Sequence, residues 1–437
     1  MARAASDRLD GTGSLVNPES EEHAVDFRRA CRAQVTSIVI IALMLAISSV
    51  SIGSSRGEAQ QGLRQVRSFE GGNAYRTGDD IYWVLELGGS WLQMGRQYGG
   101  LVKEELRRFH DEIAEDLTAR GMGYDAQLAN AKELDAAFGA HIGDLVKGIS
   151  ETSGLSEEEV RVLNAGMCNL SMMAMQVEMP GSCSGIAAWG PYTPDGSLVF
   201  GRNWDIDRKS MAGYMEYLSV VAFNPEKGNS FANVHPLGNL YLETGINDKG
   251  VFIELNNGMA SDPGYVIGLE DTVSVLVSAL NECGTVEEAV DYLVSRPADM
   301  SYIIQVADED VCMSVERATF GSRIRACEQE GVIAAYNNFI PPYPEEWAGK
   351  VADPPAREED PRYENLIGLA NSDRFFGKLD VEGMKELMGI GVGEGGAVHA
   401  GTVLQVVASL GQMSLWIRGL DHSDWQEVRL EGLFGRR

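Results

Sequence analysis

The chain has 437 residues, 44% of them hydrophobic, enough apolar material for one large domain or two ordinary ones. Its formal net charge is −28, which argues against a nucleic-acid partner, because phosphate binding needs clustered Lys and Arg. Its six cysteines show no C-x-x-C pair and its six histidines no H-x-x-x-H or H-E-x-x-H spacing, so no metal site or other cofactor is expected.

The elements follow in chain order. Residues 1–34 read as an N-terminal tail ending in Arg28, Arg29 and Arg32. Residues 35–52 are apolar and uncharged, a signal or membrane-anchor segment with its basic flank cytoplasmic. The run is close to the minimum that spans a bilayer, so export signal and anchor both stay open. Residues 53–80 read as a linker. A strand signal at Tyr82-Trp-Val-Leu-Glu-Leu opens the compact part, and 81–182 reads as mostly helical, with a capping box at Ser156 and Glu159.

From Cys183 to the end, 183–437, the pattern turns to strands, and a second unit is read there. Ile186-Ala-Ala-Trp and Ser197-Leu-Val-Phe form a hairpin around Thr193-Pro-Asp-Gly. Strand signals continue at Tyr217–Phe223, Gly238–Leu242 and Gly250–Leu255, and helices at Ser274–Asn281 and from Thr285. Strands return at Ser301–Val306, Val311–Glu316 and Gly331–Tyr336. An exposed Pro- and acid-rich loop covers 341–361, and two last strands lie at Thr402–Ala408 and Met413–Arg418. Grouped strands and grouped helices read as an α+β fold.

The hairpin places Cys183 opposite position 206, with Arg202 and Asp205 beside it. A guanidinium near a thiol favours the thiolate, and a carboxylate orients a neighbouring amine. The same cysteine also reads as a small buried hydrophobe. No histidine sits in a supporting motif, which leaves the α-amine of Cys183 itself as the base. Its unperturbed pKa of roughly 7.7–8.0 suits that task. Cys183 is internal, so the Ser182–Cys183 bond has to be cut first.

From Leu85 to Arg418 the chain resembles the N-terminal-nucleophile hydrolases. The branch is that of acyl-coenzyme A:6-aminopenicillanate acyltransferase and, more distantly, choloylglycine (bile salt) hydrolase. Cys183-Ser184 with Gly201-Arg202-Asn203-Trp204-Asp205 carries the resemblance, together with the Gly89 to Gly95 stretch before a helix. Two asparagine segments match as well, Asn256 in Gly245-Ile-Asn-Asp-Lys-Gly-Val-Phe-Ile-Glu-Leu-Asn-Asn-Gly and Asn337 in Ala335-Tyr-Asn-Asn-Phe. Arg362 matches a late family arginine, and reads equally as a solvated loop residue.

The resemblance implies a four-layer αββα sandwich of mostly antiparallel sheets and an autoprocessing cysteine hydrolase or acyltransferase. Its substrate would be a small acyl amide, with an acceptor amine where the acyl group is transferred. Cys183 is then the nucleophile. Arg202 and Asp205 set its amine, Asn256 and Asn337 stabilise the oxyanion, and the two fragments stay associated. The alternatives are an exported, membrane-tethered binding protein on an inactive scaffold, a choloylglycine-hydrolase-like amidase, and an uncleaved thiol hydrolase assisted by His235 or His399.

Overall fold

The computed structural model describes residues 62–175, 183–325, 327 and 329–435. The tail, the apolar segment at 35–52 and Ser182 lie outside the described residues. In chain order the first elements are β1 (Arg64–Phe69), β2 (Gly72–Arg76), β3 (Trp83–Gly89), α1 (Trp91–Leu101), α2 (Lys103–Ala119), α3 (Tyr124–Ala137), α4 (Ala140–Ser153) and α5 (Glu157–Met175). Then come β4 (Cys183–Ala188), β5 (Val199–Asp205), α6 (Arg208–Met211), β6 (Leu218–Pro225), β7 (Phe231–Pro236), β8 (Thr244–Asn247), β9 (Phe252–Asn257), α7 (Thr272–Glu282) and α8 (Val286–Val294). The last are β10 (Tyr302–Ala307), β11 (Cys312–Ala318), β12 (Gly321–Arg325), β13 (Val332–Ala335), α9 (Arg362–Ala370), α10 (Val381–Met388), β14 (Thr402–Ser409), β15 (Ser414–Gly419) and β16 (Gln426–Arg429).

The strands build a ten-stranded sheet, β1-β2-β3-β6-β7-β8-β9-β10-β11-β12, and a six-stranded sheet, β13-β4-β5-β14-β15-β16. Every pairing is antiparallel except β3 with β6. The sheets face each other, and Phe200 of β5 packs on Phe252 of β9 with ring centroids 4.8 Å apart. Helices α9 and α10 cover the outer face of the small sheet, where Leu366, Met384, Leu387 and Met388 meet Ile186, Val199 and Val407. Helices α1, α7 and α8 pack against the large sheet. The result is the four-layer αββα sandwich, with mostly antiparallel sheets.

Two corrections concern chain organisation. Residues 64–76, read as linker, form β1 and β2, whose mixed polar sequence and partial exposure hide the strand period. Gly238–Leu242, read as a strand, forms none; the flanking runs β7 and β8 pair with each other instead. The Ser156–Glu159 capping box forms as expected, with Glu159 N donating to Ser156 Oγ and Ser156 N donating to Glu159 Oε2. Among the described residues no helix is long and apolar enough to cross a membrane.

Helices α1 and α4 cross with their backbones nearly touching. A Cβ on Gly148 would lie 2.3 Å from the Leu92 carbonyl oxygen, and one on Gly95 would lie 2.5 Å from that of Leu145. Backbone atoms cannot yield as a side-chain end would. Gly148→Ala is therefore expected to destabilise the fold by about 1–3 kcal/mol, as a lower denaturant midpoint at unchanged slope.

Candidate active site

Strands β4 and β5 pair so that Cys183 faces Trp204 and Gly185 faces Arg202. The expected partner of Cys183 was position 206, and the two-residue difference arises because the connection contains a 3-10 turn at Gly190–Tyr192. Strand alternation then sorts the motif. Cys183, Arg202 and Trp204 face the large sheet, whereas Asp205, an odd number of positions from Arg202, turns toward α9. Gly201 is on the α10 side, where a Cβ would lie 2.6 Å from Met388 Cγ. The expectation that Arg202 and Asp205 stand together across from the cysteine is corrected to this split.

On the large-sheet side, Arg202 Nη2 donates to Cys183 Sγ at 3.4 Å and to the Leu255 carbonyl at 2.9 Å. Its Nη1 donates to the Glu243 carbonyl at 2.8 Å. Arg202 Nε lies 3.7 Å from Glu254 Oε1. A small cleft beside it is lined by Trp204, His235, Glu243 and Thr244.

On the helix side, Arg362 is the hub. Its Nη1 donates to the Cys183 carbonyl at 3.1 Å and to Asp205 Oδ2 at 3.2 Å. Its Nη2 donates to Asn337 Oδ1 at 3.1 Å and to Asp360 Oδ2 at 2.7 Å. The backbone nitrogen of Cys183 donates to the same Asn337 Oδ1 at 3.0 Å. Asp205 Oδ2 also meets His399 Nε2 at 3.0 Å, while its buried Oδ1 has no hydrogen-bond partner among the described residues.

Burial sets the protonation states, and partners modify them. Burial pushes the Cys183 thiol up to about 12; Asp205 and Glu243 add to the rise and Arg202 opposes it. Arg202 favours the thiolate as expected from a neighbouring guanidinium, but burial outweighs it in the uncut chain. Asp205 keeps a pKa below the usual carboxylate range, because His399 and Arg362 outweigh the effect of its burial. Burial raises Glu254 to about 7 despite Arg202 and Asn256.

Arg202 and Asn337 therefore both reach Cys183, and Asp205 is linked to it through Arg362. Asn256 sits one layer out: its Nδ2 donates to Glu254 Oε2 at 2.9 Å, and Glu254 in turn neighbours Arg202. Asn337 Nδ2 donates to the Asn257 carbonyl at 2.9 Å. Each amide has one N–H engaged and one left over. Sequence reasoning missed Glu243, Glu254 and Asp360, left Arg362 undecided, and named His399 only as the assisting residue of an uncleaved thiol hydrolase. A carboxylate inside the apolar run Val251–Leu255 was a usable signal for Glu254; His399, remote in sequence, offered none. Among the described residues no three His, Cys, Asp or Glu side chains converge as a metal would need.

The model of the acyl-coenzyme A:6-aminopenicillanic acid acyl-transferase family matches residues 192–368. This stretch holds Arg202, Asp205, Asn256, Asn337 and Arg362, and the family is the one the sequence motifs resemble. No curated protein matches. Among solved structures the chain is similar to a Caenorhabditis elegans N-acylethanolamine-hydrolyzing acid amidase ortholog, at 15% identity and TM-score 0.40, covering 57% of this chain and 100% of that one. It is similar to a conjugated bile acid hydrolase variant from Clostridium perfringens at 14% identity and TM-score 0.40, covering 58% and 95% of the two chains. Penicillin V acylase from Agrobacterium tumefaciens aligns at 16% identity and TM-score 0.34, covering 55% and 83%.

The raised Glu254 has a consequence for stability. The folded state holds its proton up to about pH 7, whereas an unfolded Glu releases it near 4.3, so its contribution is present at low pH and lost as pH rises through 7. Glu254→Gln should flatten the fall in stability between about pH 4.5 and 7, by about 1–3 kcal/mol over that window. Denaturant midpoints of both chains across that range measure it.

Proposed function

We propose that the chain is a self-processing cysteine hydrolase or acyltransferase acting on a small acyl amide. The observation that carries this reading is the double hold on Cys183: its sulfur on Arg202 and its nitrogen on Asn337. An ordinary buried cysteine needs neither. The free Oδ1 of Asp205 adds support. In the uncut chain the Cys183 nitrogen offers one N–H, already placed on Asn337; a liberated ammonium offers three and needs further acceptors.

In the first event the Cys183 thiol adds to the Ser182 carbonyl, the Ser182–Cys183 C–N bond breaks, and water hydrolyses the resulting thioester. Ser182 leaves with a carboxylate and Cys183 gains an α-amine. In turnover that amine accepts the Sγ proton, and the thiolate attacks the substrate amide carbon. The remaining N–H groups of Asn256 and Asn337 are the donors for the oxyanion, each worth about 3–4 kcal/mol of barrier. The amine takes a proton and leaves; water, or an acceptor amine, then resolves the thioester. No cofactor enters the scheme. The basic flank before residues 35–52 supports an exported or membrane-anchored location, with the fragments held together by the sandwich.

Cys183→Ala is expected to run as a single chain on a denaturing gel, while the wild type splits into two fragments. N-terminal sequencing of the second fragment should read Cys-Ser-Gly-Ile. A wild type that stays intact yet hydrolyses amides would sink the scheme. An intact wild type without activity would return the chain to the binding-protein reading, which the thiol's burial in the uncut state also fits.

A further inference from the structure

The loop 399–402 before β14 carries a histidine whose tautomer is set by its surroundings. The Gly401 backbone N–H donates to His399 Nδ1 at 3.0 Å, so that nitrogen is the acceptor and the proton resides on Nε2. Nε2–H points at Asp205 Oδ2, 3.0 Å away. The loop itself is anchored: Arg208 Nη2 donates to the His399 carbonyl at 2.5 Å, Arg208 Nε donates to the Thr402 carbonyl at 2.8 Å, and His399 N donates to Thr402 Oγ1 at 3.1 Å.

Asp205 Oδ2 thus receives two donors, His399 and Arg362, the Thr402 side chain stands beside the carboxylate as well, and Oδ1 has no hydrogen-bond partner among the described residues. Two donors from different elements fix the carboxylate's rotation about its Cβ–Cγ bond. We propose that His399 is a positioning residue: as a neutral Nε2–H donor it pins Asp205 Oδ2 and so holds Oδ1 ready for the α-amine of Cys183. This rests on the cut-chain reading above and adds to it a residue outside the five motif positions.

The electrostatic setting fixes the sign of the effect. Facing Asp205 and Cys183 are Arg362 with Asp360 from the start of α9, Arg202 from β5, and Glu243 from the turn before β8. Arg208 with Asp421 flanks the His399 loop. Removing the His399 donor leaves more uncompensated negative charge on Asp205. That favours the ammonium and disfavours the thiolate, so both Cys183 ionisations move to higher pH.

The experiment uses the full-length chain as wild type, His399→Ala and His399→Gln. The glutamine Nε2 lies the same number of bonds from Cα and donates without titrating. Each chain is first sequenced at its N-termini, then alkylated with iodoacetamide across pH 5 to 10, with modification of Cys183 followed by peptide mass spectrometry. The Ala chain should show its alkylation midpoint raised by about 0.5–1 pH unit, and the Gln chain should return toward wild type. An Ala chain that fails to split while the Gln chain splits supports the same assignment. An Ala profile superposing on wild type, or a Gln chain behaving like Ala, overturns the role of His399 alone. A wild type with no terminus at Cys183 removes the amine and overturns the parent reading with it.

Discussion

The Arg362 guanidinium is the interaction on which the site depends. One planar fork reaches the Cys183 carbonyl, Asp205, Asn337 and both oxygens of Asp360, joining the start of β4, the end of β5, the loop after β13 and the start of α9. A cation buried this deeply is tolerated only when its donors are saturated, and these are charge-assisted. Remove it and buried Asp360 loses its cation while Asp205 is left with His399, a loss of about 3–5 kcal/mol for a broken buried pair. Lysine would not substitute, since one ammonium cannot span four segments in a plane.

Around that fork, strand alternation does the sorting. The side chain of Cys183 belongs to one face of the small sheet while its backbone nitrogen and carbonyl are held from the other. The sulfur therefore meets Arg202 and the cleft near Trp204, and the nitrogen meets Asn337. A hairpin slipped by one residue would exchange these faces and separate the pair. A slip of two preserves them. That is why reading the hairpin with Cys183 opposite 206 instead of Trp204 still put Arg202, though not Asp205, on the face of the sulfur.

What was legible followed from locality. The strand–turn–strand at Cys183–Asp205 and the α+β class depend on period and turn chemistry within short windows, and the family motifs that implied the αββα layering are equally short. The helix α9 was not legible: it begins directly after a Pro- and acid-rich stretch, and its first residue, Arg362, reads as solvated until the helix docks on β13 and β4. His399 lies 194 positions from Asp205 in a glycine-flanked loop without periodicity, so no local pattern could pair them. The strands β1 and β2 were missed because a half-exposed edge hairpin need not alternate cleanly.

Gly185 shows how the layers cooperate to place the guanidinium nearest the sulfur. It stands opposite Arg202 in register, and a Cβ there would lie 2.7 Å from Gln305 Oε1 and 2.9 Å from Glu254 Oε1. The absent side chain is the space those two polar heads occupy. Glu254 in that space sits beside Arg202 Nε and takes the Asn256 amide, so a protonation near neutral pH at Glu254 reaches both the cation on the thiol and Asn256. The short sequence Cys-Ser-Gly is then one unit: a sulfur held by Arg202, a residue facing the helix layer, and a vacancy two positions on that lets the opposite sheet reach that arginine.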